Sequence, residues 1–224
     1  MLHIHSLNDL SLERTWLTIG VFDGLHLGHQ EIIRVLVREA KENGASSLVI
    51  SFYPHPAAVL GKRADVKYLT LPEEKAEILA EMGVDFLLTH PFSTEVTGLS
   101  AEAFMESIQA KVGLEKLLIG YDFSLGKNRQ GDAKYLSKLG ERDGYIVQAF
   151  PPVSDVTGII SSSRVRDALV DGKVRDAHQL LGHPYALSGS VIHGDGRGRK
   201  INIPTANIDL PREKAIPANG VYAC

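Results

Sequence analysis

The sequence has 224 residues, 44% hydrophobic and 23% charged, with a formal net charge of −3. That balance gives enough apolar material for a packed core and excludes the basic face that non-specific nucleic-acid binding needs. A single cysteine, Cys224, excludes an internal disulfide and fits a reducing cytoplasm; no apolar run is long enough for a membrane span, and "MLHIHSLNDLSLERTW" lacks the regions of a secretory leader.

In chain order, "WLTIGVF" (Trp16–Phe22) reads as a buried strand closed by Asp23-Gly24. The helix after it places Ile32, Ile33, Leu36, Val37 and Ala40 at helical spacing and stops at Asn43-Gly44. Ser46–Phe52 is a second strand, broken by "YPHP". Leu71–Gly83 is a helix with Pro72 in its first turn and acids behind it, which suits the helix dipole. Val84–Phe92 is a strand, and Ser100 caps a helix reaching Gly113. Lys116–Phe123 is a strand, the next helix ends near Gly140, and Tyr145–Phe150 is a fifth strand. Two helices, "SSSRVRDALVDG" and "VRDAHQLLG", follow. Strands alternating with helices imply a mostly parallel sheet with right-handed crossovers. From Tyr185 onward the chain is rich in Gly and Pro and loses its helical period, which places a domain boundary near Gly182–Pro184.

Parallel sheets bind ligands beyond the carboxyl ends of their strands. The loop after the first strand offers Asp23-Gly24 for a tight turn and Gly28 for close approach of a phosphate. His26 and His29 lie at i and i+3 on one face of the helix start, beside its unpaired N–H groups. Two imidazoles there can bind a polyphosphate and stabilise charge during transfer, although a histidine pair alone also fits a solvated helix cap. The string contains no strong nucleophile and is neither a Walker A loop nor a zinc signature.

The full string G-x-F-D-G-x-H-x-G-H resembles the HxGH nucleotidyltransferase superfamily. Within it, "GVFDGLHLGHQ" is similar to the N-terminal module of bacterial FAD synthetases, the bifunctional riboflavin kinase/FMN adenylyltransferases. The resemblance implies an α/β, Rossmann-like HxGH nucleotidyltransferase domain with a parallel sheet over residues 1–182. The start of a riboflavin-kinase-like β-barrel over 183–224 would follow it. It also implies transfer of AMP from ATP to FMN, giving FAD and pyrophosphate, with Mg²⁺ as cofactor. His26, His29, Ser162, Arg164 and Arg166 would be catalytic, and Gly20, Phe22, Asp23, Gly24, Gly28, Ser161 and Ser163 would hold ATP.

Four further segments bear on that reading. "ISSSRVR" (Ile160–Arg166) sets three hydroxyls and two arginines at a helix N-terminus, able to cap it and contact phosphate oxygens. The family carries I-S-S-T-x-I-R, so Ser163 and Val165 are mild departures. "SFYPHP" and "GYDFSLGKNRQG" follow the second and fourth strands and resemble the family's flavin and nucleotide motifs. They nominate Phe52, Pro54, His55, Pro56, Asp122, Phe123 and Arg129 for flavin, with Tyr53 as added aromatic surface and Leu125 in place of a family Phe. "SGSVIHGDGRGRKINIPTANI" resembles the opening of the kinase barrel. Gly194 would admit the nucleotide, Arg197, Arg199 and Lys200 would add charge, and Thr205 and Asn207 would bind Mg²⁺ and phosphate. Asn202-Ile203 replaces the family's Gly-Phe, and Asn is tolerant of positive φ.

About 40 residues after the boundary are too few for a closed barrel, so little kinase activity is expected of this chain. Small-molecule substrates, ATP, FMN and riboflavin, are the expected partners, with no nucleic acid or membrane; oligomeric state is not legible. Two other readings stay open: transfer of a nucleotide to a different small phosphate, and a non-catalytic flavin or nucleotide sensor.

Overall fold

Short apolar runs separated by amphipathic helices fold as that alternation requires, into a parallel sheet covered on both faces. The computed structural model describes residues 1–61, 65–194, 202–203 and 205–223. The first half of the chain forms β1 (Leu2–Ile4), β2 (Leu12–Ile19), α1 (Leu27–Glu42), β3 (Ser46–Tyr53), α2 (Pro56–Val59), α3 (Pro72–Glu81), β4 (Phe86–Pro91), α4 (Thr94–Gly98) and α5 (Ala101–Gln109). The second half forms β5 (Val112–Gly120), α6 (Ala133–Asp143), β6 (Ile146–Phe150), β7 (Ser154–Asp155), β8 (Gly158–Ile159), α7 (Ser162–Val170), α8 (Val174–Leu181), β9 (Ser190–Ile192) and β10 (Asn207–Asp209).

Six strands make one sheet in the order β1-β4-β3-β2-β5-β6, every pair parallel. β7 pairs with β8, and β9 with β10, as separate antiparallel hairpins. β2, β3 and β4 lie side by side, and the chain then crosses back to put β5 against the other edge of β2. That reversal opens a crevice at the carboxyl ends of β2 and β5, the place where open parallel sheets bind ligands.

Strand alternation divides the core between the two faces. Leu17, Ile19, Leu48, Ile50, Leu117 and Ile119 pack with Phe104, Met105 and Ile108 of α5 and Leu136 and Leu139 of α6. Trp16, Val49, Leu87 and Leu118 point the other way, onto Ile32, Ile33, Leu36 and Ala40 of α1 and Leu79 of α3. Each such fully buried Leu or Ile contributes about 1.5–3 kcal/mol. A third cluster joins α7 and α8 to Leu69, Ile160 and Ala215. Through it the chain beyond residue 182 packs back onto the sheet domain: Tyr68 N donates to Glu213 O at 2.7 Å and Ala215 N to Tyr68 O at 2.8 Å.

Several elements differ in extent from the sequence expectation. β2 runs from Leu12 and stops at Ile19, short of Phe22, whose φ of +49° cannot belong to a strand. α5 ends at Gln109, and Val112 and Gly113 already belong to β5, which itself stops at Gly120. α6 passes through Gly140 to Asp143, and Gly144 takes the left-handed cap at φ +85°. Gly140 stands inside the helix because the Tyr145 carbonyl and ring occupy the space a Cβ would need.

Candidate active site

The loop between β2 and α1 is fixed by its acidic residue. Asp23 is buried, and its Oδ1 accepts from Leu69 N at 2.9 Å and Thr70 N at 3.1 Å. Its Oδ2 pairs with Arg166, whose Nε donates to Lys67 O at 2.8 Å. Ser162 Oγ donates to Asp23 O at 2.8 Å. Gly24 turns at φ +81°, and its N–H donates to Thr70 Oγ1 at 3.0 Å. One carboxylate thus joins residues 143 positions apart and ties the first loop to the start of α7.

The two histidines follow directly. His26 is the N-cap residue of α1 with no capping hydrogen bond from its side chain, and His29 lies on the first turn. Their rings stack at 3.6 Å between centroids, and the Phe22 ring meets His29 edge-on at 5.2 Å. Gly28 keeps the stack open, since a Cβ there would sit 3.2 Å from the His26 ring. Burial holds the His26 imidazole down to about pKa 4. Burial, then the neighbouring His26 and Lys75, holds His29 well below its ordinary value. Both rings are therefore neutral near pH 7. Their Nδ1 atoms are buried without a hydrogen-bond partner among the described residues. Two imidazoles lining a cleft at a helix N-terminus offer N–H donors to an acceptor-rich group.

The cleft over this loop has a volume of about 380 Å³. Of the residues singled out in the sequence, Phe22, Asp23, His26, Gly28, His29, His55, Asp122, Ser161, Ser162, Ser163 and Arg166 line it. Ser161 also caps α7, accepting from Arg164 N at 3.4 Å. His55 caps α2 through Nδ1, and its N–H donates to Tyr68 Oη at 2.6 Å.

Other nominated residues lie elsewhere. Gly20 donates to Ile50 O inside the sheet, and Gly24 faces a neighbouring cavity. Phe52 packs against Phe92 and Phe104, and Phe123 against the same core cluster. Pro54 is exposed, and Pro56 opens α2. Arg129 braces the Asp122 loop from behind, bonding Ser124 Oγ at 2.7 Å and Asp122 O at 3.3 Å. Arg164 turns away to Asp155 at 2.8 Å and to the carbonyls of Gly158 and Ile159. Gly194, Thr205 and Asn207 lie on or beside the exposed β9–β10 hairpin, where the space next to Gly194 is filled by the Asn207 amide. Asn202 does take a positive φ of 56°. Arg197, Arg199 and Lys200 lie outside the described residues.

A family model for FAD synthetase matches residues 9–164, and one for riboflavin kinase matches residues 181–224. The chain belongs to the FAD synthetase family. A bifunctional riboflavin kinase/FMN adenylyltransferase of Listeria monocytogenes is 41% identical over 210 residues, covering 92% of this chain and 66% of the relative. Proteins of the same name from Escherichia coli K12 and Bacillus subtilis 168 are 38% and 35% identical, covering 98% and 99% of this chain and 70% of each relative. This FAD synthetase-family chain therefore spans 66–70% of the length of these relatives, and its riboflavin kinase portion is only partly present. A solved structure described as a macrolide-efflux protein from Streptococcus pneumoniae is 32% identical, with a TM-score of 0.87 over 99% of this chain and 72% of that one. Among the described residues of this chain, no helix is long and apolar enough to cross a membrane.

Two lysines of this family member escaped the sequence reading. Lys75 of α3 is buried under the histidine loop, donating to Val21 O and Ser51 Oγ, each at 2.6 Å, and burial holds its amine down to about pKa 8. Lys214 is 2% exposed and bonds Leu69 O at 2.7 Å and Glu74 Oε2. A lysine among acids and alanines reads as a solvated side chain. Only the packing of distant segments makes it an interior one.

Proposed function

We propose that this chain transfers AMP from ATP to the phosphate of FMN, releasing pyrophosphate and forming FAD. The observation that carries the reading is one cleft at the sheet's switch point. There the neutral His26–His29 stack, the α7 serines with Arg166, and Asp122 with His55 face one another.

In this reaction an FMN phosphate oxygen attacks the α-phosphorus of ATP, and the bond to the β-phosphate breaks as pyrophosphate leaves in line. His26 and His29 each donate an N–H to the departing phosphates, supported by the α1 N-terminus. Ser161, Ser163 and Arg166 grip the same phosphates. Arriving phosphate charge favours protonation of the histidines, so their stabilisation grows as the leaving group develops charge. Asp23 and Ser162 keep the two loops in register, with Gly20, Gly24 and Phe22 shaping the turn. His55 and Asp122 contact the flavin end of FMN, while Phe52, Pro54, Pro56, Phe123 and Arg129 form the scaffold behind them. Arg164 holds the β7–β8 hairpin at the cleft's rim.

Mg²⁺ would enter this site on the phosphates of ATP, not on a protein-built metal centre. Among the described residues no group of three or more His, Cys, Asp or Glu could hold a metal by itself. Of the two carboxylates lining the cleft, Asp23 is fully engaged and Asp122 is exposed. When bound with the nucleotide, the ion neutralises the polyphosphate. Residues 1–182 would carry the transfer, and 183–224 would open a riboflavin kinase module in which Thr205 and Asn207 bind Mg²⁺ and phosphate.

Incubation with FMN, ATP and Mg²⁺ followed by HPLC tests the reading, with riboflavin replacing FMN in a parallel sample. FAD from FMN alone is expected. Binding of both substrates without release of pyrophosphate would refute the reading and favour a sensor.

A further inference from the structure

The geometry points to Lys214, within the segment matched by the riboflavin kinase model, as a positioning residue for the adenylyl-transfer site. It acts through residues 67–70, which connect the kinase-side segment to Asp23. The inference rests on the reading of the cleft as the site of AMP transfer.

Residues 67–70 have partners on both sides. Toward the cleft, Leu69 N and Thr70 N donate to Asp23 Oδ1, Thr70 Oγ1 accepts from Gly24 N, and Lys67 O accepts from Arg166. Toward the other side, Tyr68 pairs with Lys214 as an isolated parallel bridge. Lys67 Nζ donates to Arg212 O at 2.9 Å, Tyr68 N donates to Glu213 O at 2.7 Å, and Tyr68 O accepts from Ala215 N at 2.8 Å. The loop makes no regular sheet of its own; burial of the Leu69 side chain and these two sets of bonds hold it in place.

Lys214 is the anchor of the second set. Its ammonium bonds Leu69 O and Glu74 Oε2 and lies 4.9 Å from the centre of the Tyr185 ring, whose hydroxyl donates to Ala215 O at 2.6 Å. The Glu74 oxygen it meets also accepts from Leu71 N, while the other, Oε1, is buried with no partner among the described residues. Removing the ammonium therefore does two things. It leaves a buried carboxylate uncompensated, and it frees the Leu69 carbonyl from the side opposite Asp23. The first effect is on folding. The second passes through Leu69 and Thr70 to Asp23, Arg166 and the histidine loop, where small displacements of aligned groups cost rate steeply.

Two variants separate these effects. Lys214→Met leaves Glu74 charged and tests the anchor as a whole. Lys214→Met with Glu74→Gln neutralises the buried pair, so it is the variant expected to retain a folded core while still lacking the Leu69 anchor. For the folded double variant we expect kcat for FAD formation to fall about 10- to 100-fold, with the KM for FMN changing less. Hydrogen exchange at the Leu69 and Thr70 amides should accelerate, while that of β3 and β5 stays at the wild-type rate. A folded double variant with wild-type kcat would overturn the inference. Wild-type protein that makes no FAD would overturn the adenylyltransferase reading instead. In that case unchanged exchange at Leu69 and Thr70 in the variants would overturn the structural coupling on its own.

Discussion

Replacing His26 by glutamine should flatten the acid side of the stability profile. The folded chain holds His26 at about pKa 4 through burial. An unfolded histidine titrates near 6.5. Between those values the unfolded chain binds a proton that the folded chain refuses, so stability is fully present above about pH 6.5 and falls as pH drops toward 4. For one site with these two pKa values, the loss by pH 5 is about 2 kcal/mol. His29 is shifted in the same direction, so the wild-type loss exceeds that of His26 alone. Urea denaturation at about pH 7.5 and pH 5 measures it. The His26→Gln variant should lose about 2 kcal/mol less than wild type over that interval. Equal losses in the two proteins, or a His26 ring titrating near 6.5 by NMR, would refute the claim that this imidazole is buried and neutral.

Three other perturbations test the site and its scaffold. His29→Ala should lower the rate of FAD formation by roughly 10²-fold in the HPLC assay, because one preorganised donor to the leaving phosphates is gone. Asp23→Asn keeps an acceptor for Leu69 and Thr70 but strips Arg166 of its charge partner in a pair whose side chains are 3% and 18% exposed. A loss of about 3 kcal/mol, seen as a Tm lower by about 6–12 °C in calorimetry, is expected. Leu118→Ala opens a hole at a fully buried position between β5 and α1. It should cost about 2–5 kcal/mol by urea denaturation with an unchanged m-value.

Much of the fold could be read locally. The runs over β3, β4, β5 and β6, and the spacing of α1, α3 and α7, each state their element in a window shorter than twenty residues, because burial of one face imposes a period on the sequence. Capping was legible for the same reason: Ser100, Ser161 and Pro72 stand where the expected helix starts require them. The short pieces were not legible. β1 has three residues and exists only because β4 offers an edge, and the two-residue strands β7 and β8 carry no period at all. Boundaries shifted wherever a tertiary contact outweighed local preference, as at Gly140, where the Tyr145 ring and carbonyl take the place of a side chain.

For the site, the sequence by itself determined which chemistry was available. Two histidines at i and i+3, a serine-rich helix start and acidic strand ends are choices of residue type, and residue type decides what can donate, accept or carry charge. Tertiary structure decided which of these groups meet. The return of β5 to the free edge of β2 brings Asp122 to the cleft that His29 lines. The Asp23–Arg166 pair closes α7 over the first loop, Arg164 is drawn off to Asp155, and Phe52 turns into the core. The interior lysines depend wholly on that assembly, since a lysine is dry only when partners from distant segments surround it. Lys75 needs β3 and the first loop, and Lys214 needs Leu69 and Glu74. Periodicity and motif spacing report on neighbours along the chain. Desolvation and charge pairing depend on neighbours in space, which only the packed sheet and its covering helices supply.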